Sequence, residues 1–161
     1  MFDRSNTVIA IAGPTAVGKT KFAIMLAQAF DGEVVSCDSM QLYKYMDIGS
    51  AKPTPEELSM AKHHLVDMID PRDEFSVAQY QKLAKTAIKD ILSRGKTPII
   101  SGGTGLYLNS LIYDMDFSSV PEDNSYRSEL EAIAEQEGGR ETLHKRLAEL
   151  DPKAASLIHP N

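Results

Sequence analysis

Apolar residues follow two alternating patterns along the first part of the chain. Short apolar runs with the length of buried strands occur at residues 7–12, 33–37 and 97–101. Apolar residues at three- and four-residue spacing predict amphipathic helices over residues 19–30 and 77–94. Such alternation is typical of parallel strands joined by right-handed crossovers. A further strand is a candidate at residues 65–69.

Capping residues mark where two of the helices begin. Thr54 with Glu57, and Ser76 with Gln79, have the spacing of capping boxes, in which side chain and backbone groups satisfy each other reciprocally. Gly95 is placed to end the helix that Ser76 begins. These local signals predict helix boundaries independently of the apolar pattern.

The last part of the chain is helical. Its residues predict helices at 125–137 and 140–150, and a third, short helix that Asp151 caps. This part has the character of an insertion or lid. We therefore divide the chain into a core, residues 1–117, and the start of a helical insertion, residues 118–161.

The overall composition is that of an ordinary globular protein. The chain has 161 residues, of which 42% are hydrophobic and 25% are charged. No apolar run approaches the length of a membrane span, so we expect no membrane partner. The single cysteine, Cys37, suits a reducing cytoplasm and is expected to be buried in the core. Because the net charge is −6, a nucleic-acid partner needs a local basic surface or residues outside this chain.

A phosphate-binding motif follows the first predicted strand. The stretch matches G-x-x-x-x-G-K-[ST] and consists of Gly13, Pro14, Thr15, Ala16, Val17, Gly18, Lys19 and Thr20. It lies between a strand and a helix, so the positive end of the helix dipole faces the bound anion. We expect the Lys19 ammonium to reach the phosphates and the Thr20 hydroxyl to ligate Mg²⁺.

The predicted fold class is α/β, a three-layer parallel sheet of the P-loop NTPase type with a helical insertion or lid. Only three strands are readable, or four with residues 65–69, and such a sheet normally has more. We therefore expect the sheet to be incomplete in this chain.

Asp38 is the first candidate for chemistry beyond the phosphate loop. It follows the second strand, which we expect to neighbour the strand before the loop, at the edge where ligands bind in open α/β sheets. A carboxylate there can accept a proton or hold metal through water, or simply cap a turn. Residues 38–53 show no convincing periodicity, which is typical of a functional or mobile loop.

Two further polar residues are weaker candidates. Thr104 lies in a second glycine-rich turn, between the third strand and a helix predicted at residues 106–113. Its hydroxyl can donate to an oxygen that develops charge, or serve only the turn. Arg127 can approach the anion from the helical segment, or be a solvated arginine.

Other classes of site are disfavoured. The strand at residues 97–101 ends without the carboxylate that holds Mg²⁺ in motor proteins and GTPases. His63 and His64 are adjacent and have no further ligand at zinc spacing, so a hydrogen-bonded structural pair is favoured. A small-molecule kinase, a transferase that releases pyrophosphate and a non-catalytic phosphate-binding module all remain open from the residues alone.

Five blocks of sequence, in this order, resemble the bacterial tRNA dimethylallyltransferase (tRNA isopentenyltransferase) family. They are the phosphate loop at 13–20, Asp-Ser-Met-Gln-Leu-Tyr at 38–43, Met-Asp-Ile-Gly-Ser-Ala-Lys-Pro at 46–53, His-His-Leu at 63–65 and Gly-Gly-Thr-Gly-Leu-Tyr at 102–107. Ser50 stands where the family more often has Thr.

This resemblance implies specific roles for the candidate residues. The loop would bind the diphosphate of dimethylallyl diphosphate with Mg²⁺ as cofactor, and the prenyl group would pass to N6 of the adenosine 3′ of the anticodon in tRNA. Asp38 would be the general base, and Asp38, Ser39, Met40 and Gln41 would contact the flipped-out adenine. Thr104 would lie by the bridging oxygen and the tRNA, and Arg127 would contact the tRNA.

The resemblance also bears on what the chain contains. Family members have further helices, a basic segment and the remaining strands, so we expect residues 118–161 to be the start of a truncated tRNA-binding insertion. Whether the 161 residues alone are active stays open. We expect the protein to be a cytoplasmic monomer.

Overall fold

The computed structural model describes residues 7–117 and 124–160. Its contacts divide the chain into two compact units, Met1–Phe117 and Ser118–Asn161. These units correspond in extent to the two predicted segments. The assignment of the second one as a tRNA-binding insertion stays a prediction.

The first unit contains a four-stranded sheet in which every pair of neighbours is parallel. The strands are β1 (Ile9–Ala12), β2 (Gly32–Ser36), β3 (His63–His64) and β4 (Thr97–Gly102). Their order across the sheet is β1-β4-β2-β3. The predicted α/β class with parallel strands is therefore confirmed.

Two expectations about the strands are wrong. Asp38 follows β2, but β4 lies between β2 and β1, so the strand of Asp38 does not neighbour the strand before the phosphate loop. The further strand is His63–His64 rather than residues 65–69, because it is His63 and His64 that pair with Val34 and Val35 of β2.

Four helices surround this sheet. They are α1 (Lys19–Ala29), α2 (Pro55–Met60), α3 (Val77–Ser93) and α4 (Gly105–Ile112). Both predicted capping boxes are present, at Thr54 with Glu57 and at Ser76 with Gln79. The chain leaves α3 through Gly95, whose φ of 72° is in the left-handed region, as the sequence predicts.

The helices cover both faces of the sheet and give three layers. On one face Ala23 and Ala27 of α1 pack with Val34 and Ile99. On the other face residues of α3 and α4 pack with Val35, Cys37 and Ile100; they include Tyr80, Ala84, Ile91 and Tyr107. The rings of Tyr80 and Tyr107 are stacked with centroids 4.0 Å apart. Cys37 is buried, as expected.

Strand β1 is not buried on both sides, contrary to the interpretation of its apolar sequence. Ile9 and Ile11 pack against the α1 face, whereas Ala10 and Ala12 are exposed. On the second face, Ala10 borders a cavity that Ile88 of α3 and Leu111 of α4 also line, so these helices do not pack tightly over β1.

Residues 124–160 of the second unit contain three helices, α5 (Asn124–Ala134), α6 (Gly139–Leu150) and α7 (Pro152–Leu157). Asp151 caps α7 by accepting a 2.9 Å hydrogen bond from the Ala154 N–H, as predicted. In the described ranges, no helix combines the length and the apolar character that crossing a membrane requires.

Candidate active site

The phosphate loop joins β1 to α1 through two left-handed residues. Gly18 is the N-cap of α1 with φ 86°, a conformation that glycine adopts without steric cost. Ala16 has φ 67°, which is uncommon for a residue with a Cβ and marks backbone strain of the kind found at binding sites. The loop therefore presents the N-terminus of α1 at the carboxyl end of the sheet, where an anion is stabilised by the helix dipole.

Lys19 is turned into this loop. Its Nζ donates a 2.6 Å hydrogen bond to the carbonyl oxygen of Pro14. The ammonium thus lies across the loop at the first residue of α1, together with the Thr20 hydroxyl of the same turn. A cation in this position stabilises negative charge on a phosphate held by the loop.

Asp38 starts the turn that follows β2. Its Oδ1 accepts a 2.9 Å hydrogen bond from the Met40 N–H, and the side chain is half-buried. One carboxylate oxygen therefore caps the local turn, which is the structural role that the sequence analysis considered for Asp38. The other has no hydrogen-bond partner among residues 7–117 and can accept a proton.

Hydrogen bonds of Thr104 connect the end of β4 to this turn. Its hydroxyl accepts from the Ser39 N–H at 2.9 Å and donates to the Ser39 Oγ at 3.3 Å. Its own N–H donates to the Cys37 carbonyl at 3.1 Å. These hydrogen bonds of Thr104 hold Ser39, the neighbour of Asp38, in position. They can form because β2 and β4 are adjacent in the sheet.

Gly102 allows the two strands to come this close. A Cβ on Gly102 would overlap the Cys37 carbonyl group and lie 2.8 Å from the Cys37 Cα. Any side chain there would push β4 away from the end of β2.

A cavity of about 270 Å³ brings half of the predicted site residues together. Its lining includes Thr15, Ala16, Gly18, Lys19 and Thr20 from the loop, with Asp38 and Gln41 from the following turn. The predicted residues outside the lining are Gly13, Pro14, Val17, Ser39, Met40 and Thr104. Arg127 belongs to the second unit, where it lies on α5 with its guanidinium 3.7 Å from the Glu131 carboxylate.

Seven lining residues were not predicted from sequence. They are Val34, Ser36, Ala51, Pro53, His63, Ser101 and Gly102. Ser101 and Gly102 end β4. Because ligands bind at the carboxyl ends of parallel strands, the position of these two residues at the end of a predicted strand could have indicated that they line the site. Ala51 and Pro53 lie in the family block at 46–53, but that block alone did not indicate that they line the cavity.

The His63 imidazole is part of this lining. Its Nδ1 donates a 2.8 Å hydrogen bond to the Ala61 carbonyl, and burial lowers the pKa of the ring. The buried Nε2 has no hydrogen-bond partner in the described ranges. His64 instead bonds to Glu33 at 2.7 Å, so the prediction of hydrogen-bonded histidines is confirmed.

A second charged cluster lies at the opposite end of β2. Glu33 is buried and accepts hydrogen bonds from both terminal nitrogens of Arg94, with Lys62 at 3.5 Å and Lys96 at 3.6 Å. The Arg94 hydrogen bonds outweigh burial and hold the pKa of Glu33 well below its usual range. Because this cluster joins α3 to the start of β2, we assign it to the stability of the fold.

Comparison with known proteins identifies relatives of the whole chain. It is 58% identical over 158 residues to the tRNA dimethylallyltransferase of an Exiguobacterium species, covering 98% of this chain and 50% of that protein. It is 53% identical over 154 residues to the same-named protein of Caldanaerobacter subterraneus, covering 96% and 49%. The chain therefore spans about half the length of the curated relatives it matches.

Solved structures show the same fold. The full-length tRNA isopentenylpyrophosphate transferase of Bacillus halodurans matches with a TM-score of 0.69 at 50% identity, over 96% of this chain and 51% of that one. A eukaryotic dimethylallyltransferase acting on tRNA matches with a TM-score of 0.77 at 36% identity, over 96% and 38%. These neighbours have the P-loop NTPase-like fold that the sequence predicts.

The sequence model of a protein family described as IPP transferase matches residues 41–161, which is most of the chain. The match includes the turn at Gln41, the 46–53 segment and the second glycine-rich turn, and the relatives extend the similarity through the phosphate loop. The chain therefore belongs to the IPP transferase family.

Proposed function

We propose that the protein carrying this chain transfers a dimethylallyl group from dimethylallyl diphosphate to N6 of an adenosine in tRNA. The adenosine is the one adjacent to the anticodon on its 3′ side, and diphosphate is released. The observation that carries the proposal is the shared cavity, in which the phosphate loop and the Asp38 carboxylate face one space in a chain of this family. The relatives' name, tRNA dimethylallyltransferase, supports transfer of a dimethylallyl group to tRNA.

The phosphate loop is assigned to the leaving group. Negative charge grows on the diphosphate as the allylic C–O bond breaks, and donors that already point at this charge stabilise the transition state more than the ground state. Lys19 and the N-terminus of α1 supply such donors. In this proposal the loop binds the diphosphate group of the donor, and this binding does not depend on which group is attached to the diphosphate.

Asp38 is assigned to the acceptor. The N6 lone pair forms the new C–N bond to the allylic carbon, the C–O bond electrons leave with the diphosphate, and the N6 proton passes to the Asp38 carboxylate. The oxygen that does not bind the Met40 N–H is available for this proton. The adenine has to leave its stack for N6 to meet the carbon, and we assign contact with the extruded base to residues 38–41.

Mg²⁺ is the proposed cofactor. Thr20 lines the cavity, and its hydroxyl would be a ligand of the ion. Mg²⁺ is commonly held by substrate phosphates and water with few protein ligands. When bound, it would neutralise charge on the diphosphate.

Contacts with tRNA beyond the extruded base are proposals as well. We assign Thr104 and Arg127 to them from the family resemblance. Because the chain carries a net charge of −6, we expect most of the cationic surface elsewhere in the complete protein. We propose that this protein acts as a monomer in the cytoplasm.

The kinase alternative uses the same groups. ATP·Mg²⁺ would occupy Lys19 and Thr20, and Asp38 would deprotonate a hydroxyl. The comparisons do not support it.

The test uses the complete gene product with labelled dimethylallyl diphosphate and tRNA. We expect label in the tRNA, and we expect Asp38→Asn to reduce the rate about 10²–10⁴-fold, the usual contribution of a general base. Asparagine keeps the Oδ1 acceptor for the Met40 N–H, so inorganic pyrophosphate should bind as before.

Asp31→Asn is the matched control, because Asp31 is an exposed aspartate at the opposite end of β2 and should leave the rate unchanged. Folded protein that binds pyrophosphate and leaves tRNA unlabelled would refute the proposal. ATP binding that dimethylallyl diphosphate does not displace would favour the kinase.

A further inference from the structure

Lys52 is a buried lysine that the proposed chemistry does not use. Its side chain is only 6% exposed, and its Nζ lies 2.8 Å from Asp47 Oδ1 and 2.5 Å from Asp67 Oδ1. Lysine is almost never buried without a charged partner, since an unpaired ammonium loses its hydration. Here burial disfavours the charge, but the hydrogen bonds and charges of Asp47 and Asp67 outweigh burial and raise the pKa of Lys52.

The two aspartates belong to different segments. Asp47 lies in the 38–53 loop, and Asp67 lies in the segment that follows β3. Lys52 therefore closes the loop on itself and ties it to a neighbouring segment. We call this ion-paired triad of Asp47, Lys52 and Asp67 the latch.

The latch is connected by hydrogen bonds to the turn at residues 38–41. The Asp67 N–H donates to the Gln41 carbonyl at 3.0 Å. The Gln41 side chain donates to the carbonyl of Ala51, the neighbour of Lys52, at 2.9 Å, and accepts from the Ser36 hydroxyl at 3.0 Å. Gln41 thus joins the latch on one side to the end of β2 on the other.

Gln41 also ends the turn that Asp38 begins. Both residues line the cavity, and the turn is held at its start by Thr104 through Ser39. The position of the Asp38 carboxylate therefore depends on restraints at both ends of the turn. Thr104 provides the first restraint, and the latch stabilises the second.

Lys52 does not line the cavity, although its neighbours Ala51 and Pro53 do. Its ammonium is already bound by two carboxylates, so it is not placed to bind phosphate. This separates Lys52 from Lys19, whose ammonium lies within the phosphate loop.

We propose that Lys52 is a positioning residue, whose ion pairs with Asp47 and Asp67 hold the Asp38–Gln41 turn in place for proton transfer. This inference rests on the proposed function, because it concerns the same carboxylate. A misplacement of about 1 Å in a catalytic group can cost about 10²-fold in rate.

The test compares Lys52→Met with wild type in the complete gene product. We expect kcat for prenyl transfer to fall about 10²-fold. The KM for dimethylallyl diphosphate and the affinity for inorganic pyrophosphate should be unchanged, because the ion pairs that this variant removes are with Asp47 and Asp67 and not with the phosphate loop. A residue that merely supports the fold would lower kcat and pyrophosphate binding together.

Two variants complete the experiment. Lys44→Met removes an exposed lysine from the same loop and should keep the wild-type kcat. Asp47→Asn removes one ion pair at a side chain that is 71% exposed, so it should fold and show a smaller fall in kcat with unchanged pyrophosphate binding.

The outcomes separate the two proposals. Wild-type kcat in both Lys52→Met and Asp47→Asn would overturn the positioning role while leaving the proposed function in place, as would an equal loss of pyrophosphate binding and kcat. If wild type itself does not prenylate tRNA, the proposed function fails and the role of Lys52 fails with it.

Discussion

Replacement of Gly102 by alanine is expected to separate the two strands that carry the site. The new Cβ would overlap the Cys37 carbonyl, and the nearest atoms are all backbone, so no side chain can move to make room. A Cβ contact needs at least 3.0 Å, whereas the Cys37 Cα is at 2.8 Å and the carbonyl atoms are closer still. We estimate that β4 must move about 1 Å from β2, as overpacked backbone does.

Two backbone hydrogen bonds between these segments would be broken by this movement. The Cys37 N–H donates to the Ser101 carbonyl at 2.8 Å, and the Thr104 N–H donates to the Cys37 carbonyl at 3.1 Å. A movement of about 1 Å takes both beyond hydrogen-bond distance. At about 0.5–1.5 kcal/mol for each hydrogen bond and about 1–3 kcal/mol for overpacking, the free energy of unfolding should fall by about 2–6 kcal/mol.

The assay is urea unfolding of the complete gene product, with Gly105→Ala as the matched control. Gly105 belongs to the same glycine-rich turn, but a Cβ there meets no atom within 4 Å, and it is the first residue of α4. We expect Gly105→Ala to change the free energy of unfolding by less than about 0.5 kcal/mol. Equal stability of Gly102→Ala and Gly105→Ala would refute the close-approach argument.

Two further substitutions test the core and the charged cluster. Glu33→Gln should cost about 2–4 kcal/mol near neutral pH, the range for breaking a buried ion pair reduced for the partial exposure of Arg94. Because the pKa of Glu33 is lowered in the fold, its contribution is complete above the ordinary glutamate pKa of about 4.5 and declines below it, so the difference between wild type and variant should shrink in acid; a difference independent of pH would contradict this. Tyr80→Phe removes the 3.1 Å hydrogen bond that the buried hydroxyl donates to the Ser36 carbonyl, and it should cost about 1–2 kcal/mol in urea unfolding. An unchanged urea midpoint would show that this hydroxyl contributes nothing at the end of β2.

Local features of this protein were predictable because their signals lie within a few residues of each other. The phosphate loop needs glycine at Gly18 and a helix beginning at Lys19, and both requirements are written in consecutive residues. The capping boxes at Thr54 and Ser76 depend on partners three residues away. Asp38 was identified because it directly follows an apolar strand.

Arrangements across the sheet were not predictable from those signals. Chain order suggested that β1 and β2 are neighbours, but β4 lies between them. The order of the strands in the sheet depends on how whole helices pack on its two faces. No short stretch of sequence contains that information. The contact of Thr104 with Ser39 follows from this strand order.

The 38–53 loop shows the same division between sequence and structure. Its lack of periodicity correctly indicated that it forms no long helix or strand, and left open whether it is mobile. Lys52 looks like an ordinary solvated lysine in sequence, and only the fold buries it between Asp47 and Asp67.

The sequence by itself thus determined the anion-binding loop, the capped starts of α2 and α3 and the family, because each depends on residues that are close together or on blocks in a fixed order. The tertiary structure alone decided which groups face the cavity with Asp38. Burial, strand adjacency and the ion pairs of Lys52 arise only when segments that are distant in sequence pack against one another.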